Sequence, residues 1–383
     1  MRITEVNDDR SKREFLEVPS FIYAEDPVWV RPLDQEIEAI FDPEMNNYHS
    51  HGSIARWLLK DDSGQLIGRV AAFINEKKAW LPAQPTGGMG FFDCINDPRA
   101  AHLLFDTCRQ WLTNRGMQAM DGPINFGEND KYWGLLIWGF THPSFGMSYN
   151  PSYYQSLFED YGFRKLYDQE TTHINIRAPF TTRFSKIADW VMKKPGYHFE
   201  RFNPQKVDQH INDIREIYND AWQHFDTFSP ITKETIYDQF HEMKSIMDPN
   251  LIWFASVKDE PAAFIICLPD VNQIIKKFNG KLGPVEKLRF LYHRWSGTMD
   301  RIRIIVLGVK QKFQNHGLES VFVKKLQDYT IPAGKYVEAE LSWVGDFNTK
   351  MQALHTATGG TLGKKHRTYR YIFPESQEVT HTA

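Results

Sequence analysis

Apolar residues along the chain alternate between a period of two and a helical period, and the changes come in the same order twice. A period of two marks a pleated strand with one buried face, whereas the i, i+3, i+4 spacing marks a helix with an apolar stripe. In the first half a short strand, Ile3 to Val6, leads into a helical stretch around Lys12 to Tyr23; near the middle, Phe199 to Phe202 leads into another from Val207 to Trp222. A hairpin follows each time. Ala55 to Leu59 turns at Asp61-Asp62-Ser63-Gly64 and returns as Gly68 to Ile74, and Ile252 to Val257 turns at Lys258-Asp259-Glu260-Pro261 and returns as Ala262 to Cys267. Both turns have hairpin chemistry. Next come a strand and an amphipathic helix: Met89 to Cys94 with Ala100 to Arg115, then Ile302 to Val309 with Leu318 to Tyr329. Each half closes with a strand, a helix led by an asparagine (Asn150, Asn348), a glycine and a last strand.

This order, β-α-ββ-β-α-β-α-β twice over, predicts an α+β (mixed α/β) protein of two tandem domains, each a mixed, mostly antiparallel twisted sheet flanked by helices. The expected divisions are 1–178, a linker and helix over 179–195 (the helix from Phe184 to Lys194), 196–373, and a flexible tail 374–383. An insertion at 271–300 interrupts the second domain. Its apolar residues Ile274, Ile275, Phe278, Leu288, Leu291 and Tyr292 suggest helices, and Lys276, Lys277, Lys281, Lys287, Arg289 and Arg294 make it basic, as suits a lid, a docking surface or a solvated insert.

The junction from Ile304 to Phe322 carries the clearest chemistry. A β-branched run ends at Val309, a polar loop follows, and Gly317 opens a helix whose free N–H groups and dipole suit an anion, with glycine allowing close approach. The residue order Val309-x-x-x-Phe313-Gln314-x-x-Gly317-Leu318-x-Ser320 resembles the pyrophosphate loop of the GNAT superfamily of acyl-CoA-dependent N-acyltransferases, with Glu319 standing where that family has Gly or Ala. The run from Asn150 to Phe163 resembles the family's second signature. Trp29-Val30-Arg31-Pro32-Leu33, Gly122-Pro123-x-Asn125-Phe126-Gly127 and Glu340-Leu341-Ser342-Trp343 are similar to a bacterial group of that superfamily.

The resemblance implies acyl-CoA, acetyl-CoA first, as co-substrate. Its pantetheine arm would lie along the strand through Leu307 and Val309, and its diphosphate on Gln314, Asn315, His316, Gly317, Leu318, Glu319 and Ser320, with Asn348 supporting the arm. The first half lacks this loop, since Ile95-Asn96-Asp97-Pro98 puts a carboxylate and an N–H-free proline at the turn; Asp97-Pro98 reads as an ordinary helix cap. Cofactor binding is therefore assigned to the second half. His355 shares a helix face with Asn348 and takes the place of the family's thiolate-protonating Tyr; an imidazole near its ordinary pKa suits that role.

Glu338 and Glu340 alternate on a strand, so both point to one side, and Glu340 is the candidate to orient the amine or relay its proton. In the first half Asn125, Glu128 and Asp130 lie in a glycine-bounded loop, and with Tyr153 and Tyr154 they are candidates for acceptor binding. No metal is expected: His49 and His51 lack a third ligand in sequence.

At 383 residues two domains are the expectation, and a net charge of -3 removes the electrostatic footprint of a nucleic-acid binder. The basic cluster Lys364, Lys365, His366, Arg367 and Arg370 reads as a solvated edge strand protected by charge. Cys94, Cys108 and Cys267 show no paired spacing, so neither a disulfide framework nor a thiolate zinc site is expected. No signal peptide and no membrane-spanning run is seen, and a cytoplasmic protein without membrane partners is expected. The function expected is acyl transfer to a small amine or amino-acid-like acceptor. The alternatives are a non-catalytic GNAT-fold binding protein and a Fem-like aminoacyl-tRNA-dependent transferase.

Overall fold

A computed structural model of the chain describes residues 1–127, 131–178, 182–224 and 230–374. Its strands are β1 (Arg2–Glu5), β2 (Gly52–Lys60), β3 (Leu66–Asn75), β4 (Thr86–Cys94), β5 (Ala119–Gly122), β6 (Leu135–Trp138), β7 (Arg164–Asn175), β8 (Tyr197–Arg201), β9 (Ile252–Val257), β10 (Glu260–Pro269), β11 (Arg301–Val309), β12 (Glu338–Gly345) and β13 (Thr361–Ile372). Its α-helices are α1 (Asp9–Ile22), α2 (Asp34–Phe41), α3 (Glu76–Ala79), α4 (Pro98–Thr113), α5 (Tyr154–Tyr161), α6 (Thr182–Met192), α7 (Val207–Trp222), α8 (Lys233–Met243), α9 (Asn272–Ile275), α10 (Pro284–Trp295), α11 (Leu318–Ala333) and α12 (Thr349–Ala357).

Local chemistry sets the element ends. Asp8 caps α1 by accepting the Ser11 N–H at 2.7 Å while Ser11 accepts the Asp8 N–H at 3.2 Å. Asp97 caps α4 through the Arg99 N–H at 2.9 Å, with Pro98 in the first turn, as its sequence suggested. The expected hairpins are β2/β3 and β9/β10, and the expected helix from Val207 to Trp222 is α7. Phe92, Phe105, Phe158 and Phe163 anchor the first-half core; Val191, Leu318, Val321 and Phe322 anchor the second.

All thirteen strands belong to one sheet, in the order β1-β2-β3-β4-β5-β13-β7-β12-β11-β10-β9-β8, with β6 also paired to β13. The two halves exchange their closing strands. β13, the end of the second half, pairs with β5 and β6 of the first, and β7, the end of the first half, pairs with β12 of the second. β13 and β7 then pair with each other over most of their length, so the repeat is joined by backbone hydrogen bonds. β4 is parallel to β5, and β11 to β12, but three antiparallel steps separate the two pairs. The pairs therefore point to opposite ends of the sheet.

The exchange corrects one expectation. The basic strand 361–372 is no edge but the central seam, where Lys364 and His366 are inaccessible to solvent and each cation but the imidazole has a carboxylate partner. Lys364 meets Glu340, Lys365 meets Glu170, Arg367 meets Asp168, and Arg370 meets Asp121.

Candidate functional site

β11 and β12 pair from Arg301 opposite Glu338 to Ile304 opposite Leu341 and then part. The parting coincides with a bulge: pairing to β10 jumps from Val306 to Ile304, leaving Ile305 as the extra residue. Ser342 spans the mouth of the gap, its hydroxyl donating to the carbonyls of Ile304 and Ile305, the latter at 2.6 Å. Beyond it the strands no longer face each other, and half-buried Leu307 and buried Val309 lie on the β11 side. An extended chain fits such an opening.

The loop after Val309 is less open than its sequence implied. Gln311 N–H donates to Asp220 at 2.6 Å, and the N–H groups of Phe313, Gln314 and His316 close turns onto Lys310, Gln311 and Phe313. Lys310 is buried with its ammonium on Glu216 and Glu260. Asn315 and Gly317 both have left-handed backbones, φ 66° and 80°. A Cβ on Gly317 would stand 2.8 Å from Ile187 Cγ2 and 3.1 Å from Val191 Cγ2. Helix α6 thus fills the side that the glycine was expected to open to a ligand, and the glycine is needed for that close packing and for its φ. Leu318 and Ser320 are buried in α11, and His316 Nδ1 lies 2.9 Å from the Tyr197 hydroxyl.

Glu319 sits in the first turn of α11. Burial pushes its carboxyl upward in pKa, against the opposing pull of its own backbone N–H and the nearby His316. A carboxylate therefore rests on the helix start where a diphosphate was expected. With the His316 N–H also engaged, the loop as it stands does not fit a diphosphate unless Glu319 turns away; the strand opening does fit an extended thioester arm.

Asn348 caps α12 by accepting the Met351 N–H at 3.2 Å. His355, on the same helix, is buried with Nδ1 3.0 Å from Thr172 Oγ1, and burial pushes its pKa down to about 4. The expectation of an imidazole near its ordinary pKa is thus corrected: His355 is neutral at pH 7, so its charged form is not available to protonate a thiolate.

Glu340 lies just before the parting of β11 and β12, on the face it shares with Arg303, its cross-strand neighbour in β11, and with His173 of β7. It was expected to open into a cleft. Instead it is inaccessible, with Oε2 accepting from His173 Nε2 at 2.8 Å and Lys364 Nζ at 3.0 Å. Burial alone would raise its pKa, but Lys364, His173 and Arg303 outweigh that and hold it well below the usual carboxylate range. Its other oxygen, Oε1, is buried with no hydrogen-bond partner, as are Trp133 Nε1, Gln169 Nε2 and His366 Nδ1 along the same seam. His173 also reaches Glu338 through Nδ1 at 3.1 Å, and Glu338 in turn binds Arg301. The same-face placement of Glu338 and Glu340 was legible; their partners were not, because β7, which brings His173, is distant in sequence and is what separates β12 from β13 in the sheet.

The first-half candidates gather elsewhere. Tyr153 donates to the carbonyl of Cys94 at 2.8 Å and Tyr154 accepts its N–H at 2.8 Å, so two tyrosines hold the end of β4, where β4 has parted from β5. Beside them a cavity of about 120 Å³ is lined by Tyr23, Trp29, Asp93, Phe145, Tyr154 and Ile275 among others. At its polar end Tyr23 donates to Asp93 at 2.8 Å and Arg69 meets the other oxygen at 2.7 Å, a cluster no motif announced. Asn125 lies in the loop after β5, its Oδ1 buried without a partner. Glu128 and Asp130 fall outside the described residues. β4 and β11 are five strand positions apart, about 24 Å at roughly 4.8 Å per strand. Tyr153 and Tyr154 are therefore not brought together with Gln314 to Ser320, as a single shared site would require.

No protein-family model matches the chain. It is 30% identical over 370 residues to the bacterial ceramide synthase of Caulobacter vibrioides (strain NA1000 / CB15N), an alignment covering 93% of this chain and 94% of that protein. It is 28% identical to protein YghO of Escherichia coli (strain K12), covering 93% and 92%. Among solved structures it is similar to a tandem GNAT protein from the clavulanic acid biosynthesis pathway, with a TM-score of 0.57, 12% identity and coverage of 97% and 98%, a likeness of fold. The strand order repeated in the sequence, and the two parted parallel pairs that it builds, are thus those of a tandem GNAT-like fold, and by its end-to-end relationship the chain belongs to the family of the Caulobacter vibrioides bacterial ceramide synthase.

Proposed function

We propose that the chain is an N-acyltransferase that moves an acyl group from a thioester, acyl-CoA in the first instance, to the amine of a long-chain amino alcohol, giving an amide of the ceramide class. The observation that carries this reading is the 30% identity over nearly the whole length to a protein named for that product. The opening between β11 and β12 supports it, because an extended thioester arm needs strand edges that do not already bond each other. A long-chain acceptor replaces the small or amino-acid-like amine expected from the fold resemblance alone.

The reaction forms a C–N bond and breaks a C–S bond; the ammonium proton must be lost and the thiolate must be neutralised. Glu340 lies just before the parting strands, its charge held by Lys364, His173 and Arg303. Inaccessible and bound to His173 and Lys364, it holds the seam beneath the opening and does not itself meet the amine. In this reading His355 acts as a packing partner of Thr172.

A second reading, a binding protein without turnover, is favoured by Glu319 on the helix start and α6 against Gly317. The experiment that separates them offers the purified protein acyl-CoAs of several lengths with either long-chain or short amines and looks for amide by mass spectrometry. Amide from the long-chain amine supports the proposal; amide only from short amines sinks the acceptor assignment, and none from any pair leaves the binding reading.

A further inference from the structure

The insertion between β10 and β11 has two unlike sides. On the inner side Val271, Ile274, Ile275 and Phe278 pack with Val30 and Leu33 of the first half, and Phe290 of α10 joins them. Asn272 and Ile275 also wall the cavity beside Tyr23. The outer side of α10 is different. Val285 is 57% exposed, Leu288 69%, Leu291 58%, Tyr292 63% and Trp295 85%, and the helix has no buried residue.

At about 100° per residue these five side chains fall within an arc of roughly 120°, with Phe290 on the opposite side. They form one apolar stripe about 15 Å long on a 12-residue helix. Exposed Lys287 borders it on one side and exposed Arg289 on the other, with Lys276 and Lys281 exposed in the preceding turns. The acidic residue of the helix is turned inward: Glu286 accepts the Gly283 N–H at 2.9 Å. A contiguous apolar stripe of this kind is uncommon on a free surface.

We propose that α10 docks the protein on an anionic lipid bilayer, lying in the interface plane with Leu288, Leu291, Tyr292 and Trp295 among the acyl chains and Lys287 and Arg289 on the lipid phosphates. The charges select this occupant. Exposed Lys276, Lys281, Lys287 and Arg289 make a basic local rim on a chain of net charge -3, and that rim is complementary to an anionic surface and repelled by its equal on a second copy in register. Tyr and Trp at the stripe match the boundary between headgroups and acyl chains, and a stripe flanked by cations is the pattern of an interfacial helix. Among the described residues no helix is long and apolar enough to cross a membrane, and interfacial docking requires none. The inference goes beyond the acyl-transfer reading and stands whether or not the chain has that activity.

The test is flotation of the full chain with vesicles of phosphatidylcholine alone and with vesicles in which about a third is phosphatidylglycerol. Binding to the anionic vesicles is expected, weakening with salt and falling more than tenfold in the double variant Leu288→Asp/Trp295→Asp and severalfold in Lys287→Glu/Arg289→Glu. Every substituted side chain is exposed, and unchanged melting in buffer shows that the fold is kept. No flotation with anionic vesicles, or flotation that the double variant retains, overturns the proposal. So does a concentration-dependent dimer that Leu288→Asp/Trp295→Asp abolishes while vesicles fail to bind, since the stripe is then a contact between copies.

Discussion

Lys364 of β13 and Glu340 of β12 meet at 3.0 Å from Nζ to Oε2, and neither side chain has any accessible surface. They stand on strands separated by β7, at the seam where the two halves exchange their ends. A buried pair like this is held by mutual need: each charge is costly without the other.

Lys364→Met is predicted to destabilise the protein by about 3 to 5 kcal/mol, because it removes a buried cation that holds the Glu340 charge and leaves His173 and Arg303 to do so. Lys364→Met combined with Glu340→Leu should recover most of that loss. Denaturant unfolding of the two variants checks it, and equal loss in both would remove the pairing from the account.

The strand exchange predicts that residues 1–178 alone do not form a stable monomer. β5 would lose β13, and β7 would lose both β12 and β13. Co-expression with residues 182–383 should restore a soluble one-to-one complex, measured by size-exclusion chromatography with light scattering. A stable, monomeric 1–178 fragment would contradict the seam.

Glu319→Ala should strengthen CoA binding. A carboxylate about 6 Å from one phosphate charge costs roughly 2 to 3 kcal/mol at an effective dielectric near 20, on the order of 100-fold in affinity. Calorimetric titration with CoA reads it directly, and an unchanged or weakened affinity would place the diphosphate elsewhere.

Two buried histidines set an acid limit. Burial lowers His355 and His366 to about 4, below the ordinary 6.5, so between these values the unfolded chain binds more protons than the folded one. Their contribution to stability is complete above pH 6.5 and falls as pH drops towards 4. By pH 5 the loss is about 2 kcal/mol for each. Gln at 366 keeps a donor for the Ser148 carbonyl that His366 Nε2 reaches at 3.0 Å, so His366→Gln should flatten the decline of melting temperature from pH 7 to 5.

The periodic elements were legible because their signals are local. Alternation around Phe254 and Phe264, the spacing of Ile211, Ile214 and Ile217, and the Asp97-Pro98 cap each act over a few residues. The doubled plan was legible for the same reason. What the chain hides is pairing between strands nearly two hundred residues apart: a run of Lys364, Lys365, His366 and Arg367 looks like a protected edge until β7 lies beside it and brings Glu170 and Asp168. Glycine at 317 permits close approach, which in sequence suits a ligand cradle. The group that approaches is Ile187 of α6, which no motif could announce. Glu319 was the residue that broke the motif, and it is the one on which the fit of a diphosphate turns.

Acyl transfer at the opening between β11 and β12 is tested by following labelled acyl-CoA into amide with a long-chain amine, comparing the natural chain with Ser342→Leu. That substitution fills the mouth of the opening and removes the hydroxyl that bridges Ile304 and Ile305. Labelled amide is expected from the natural chain, and at least a tenfold lower rate from a Ser342→Leu protein that still melts cooperatively. Equal rates from the two proteins, or no labelled amide from the natural chain, would contradict it.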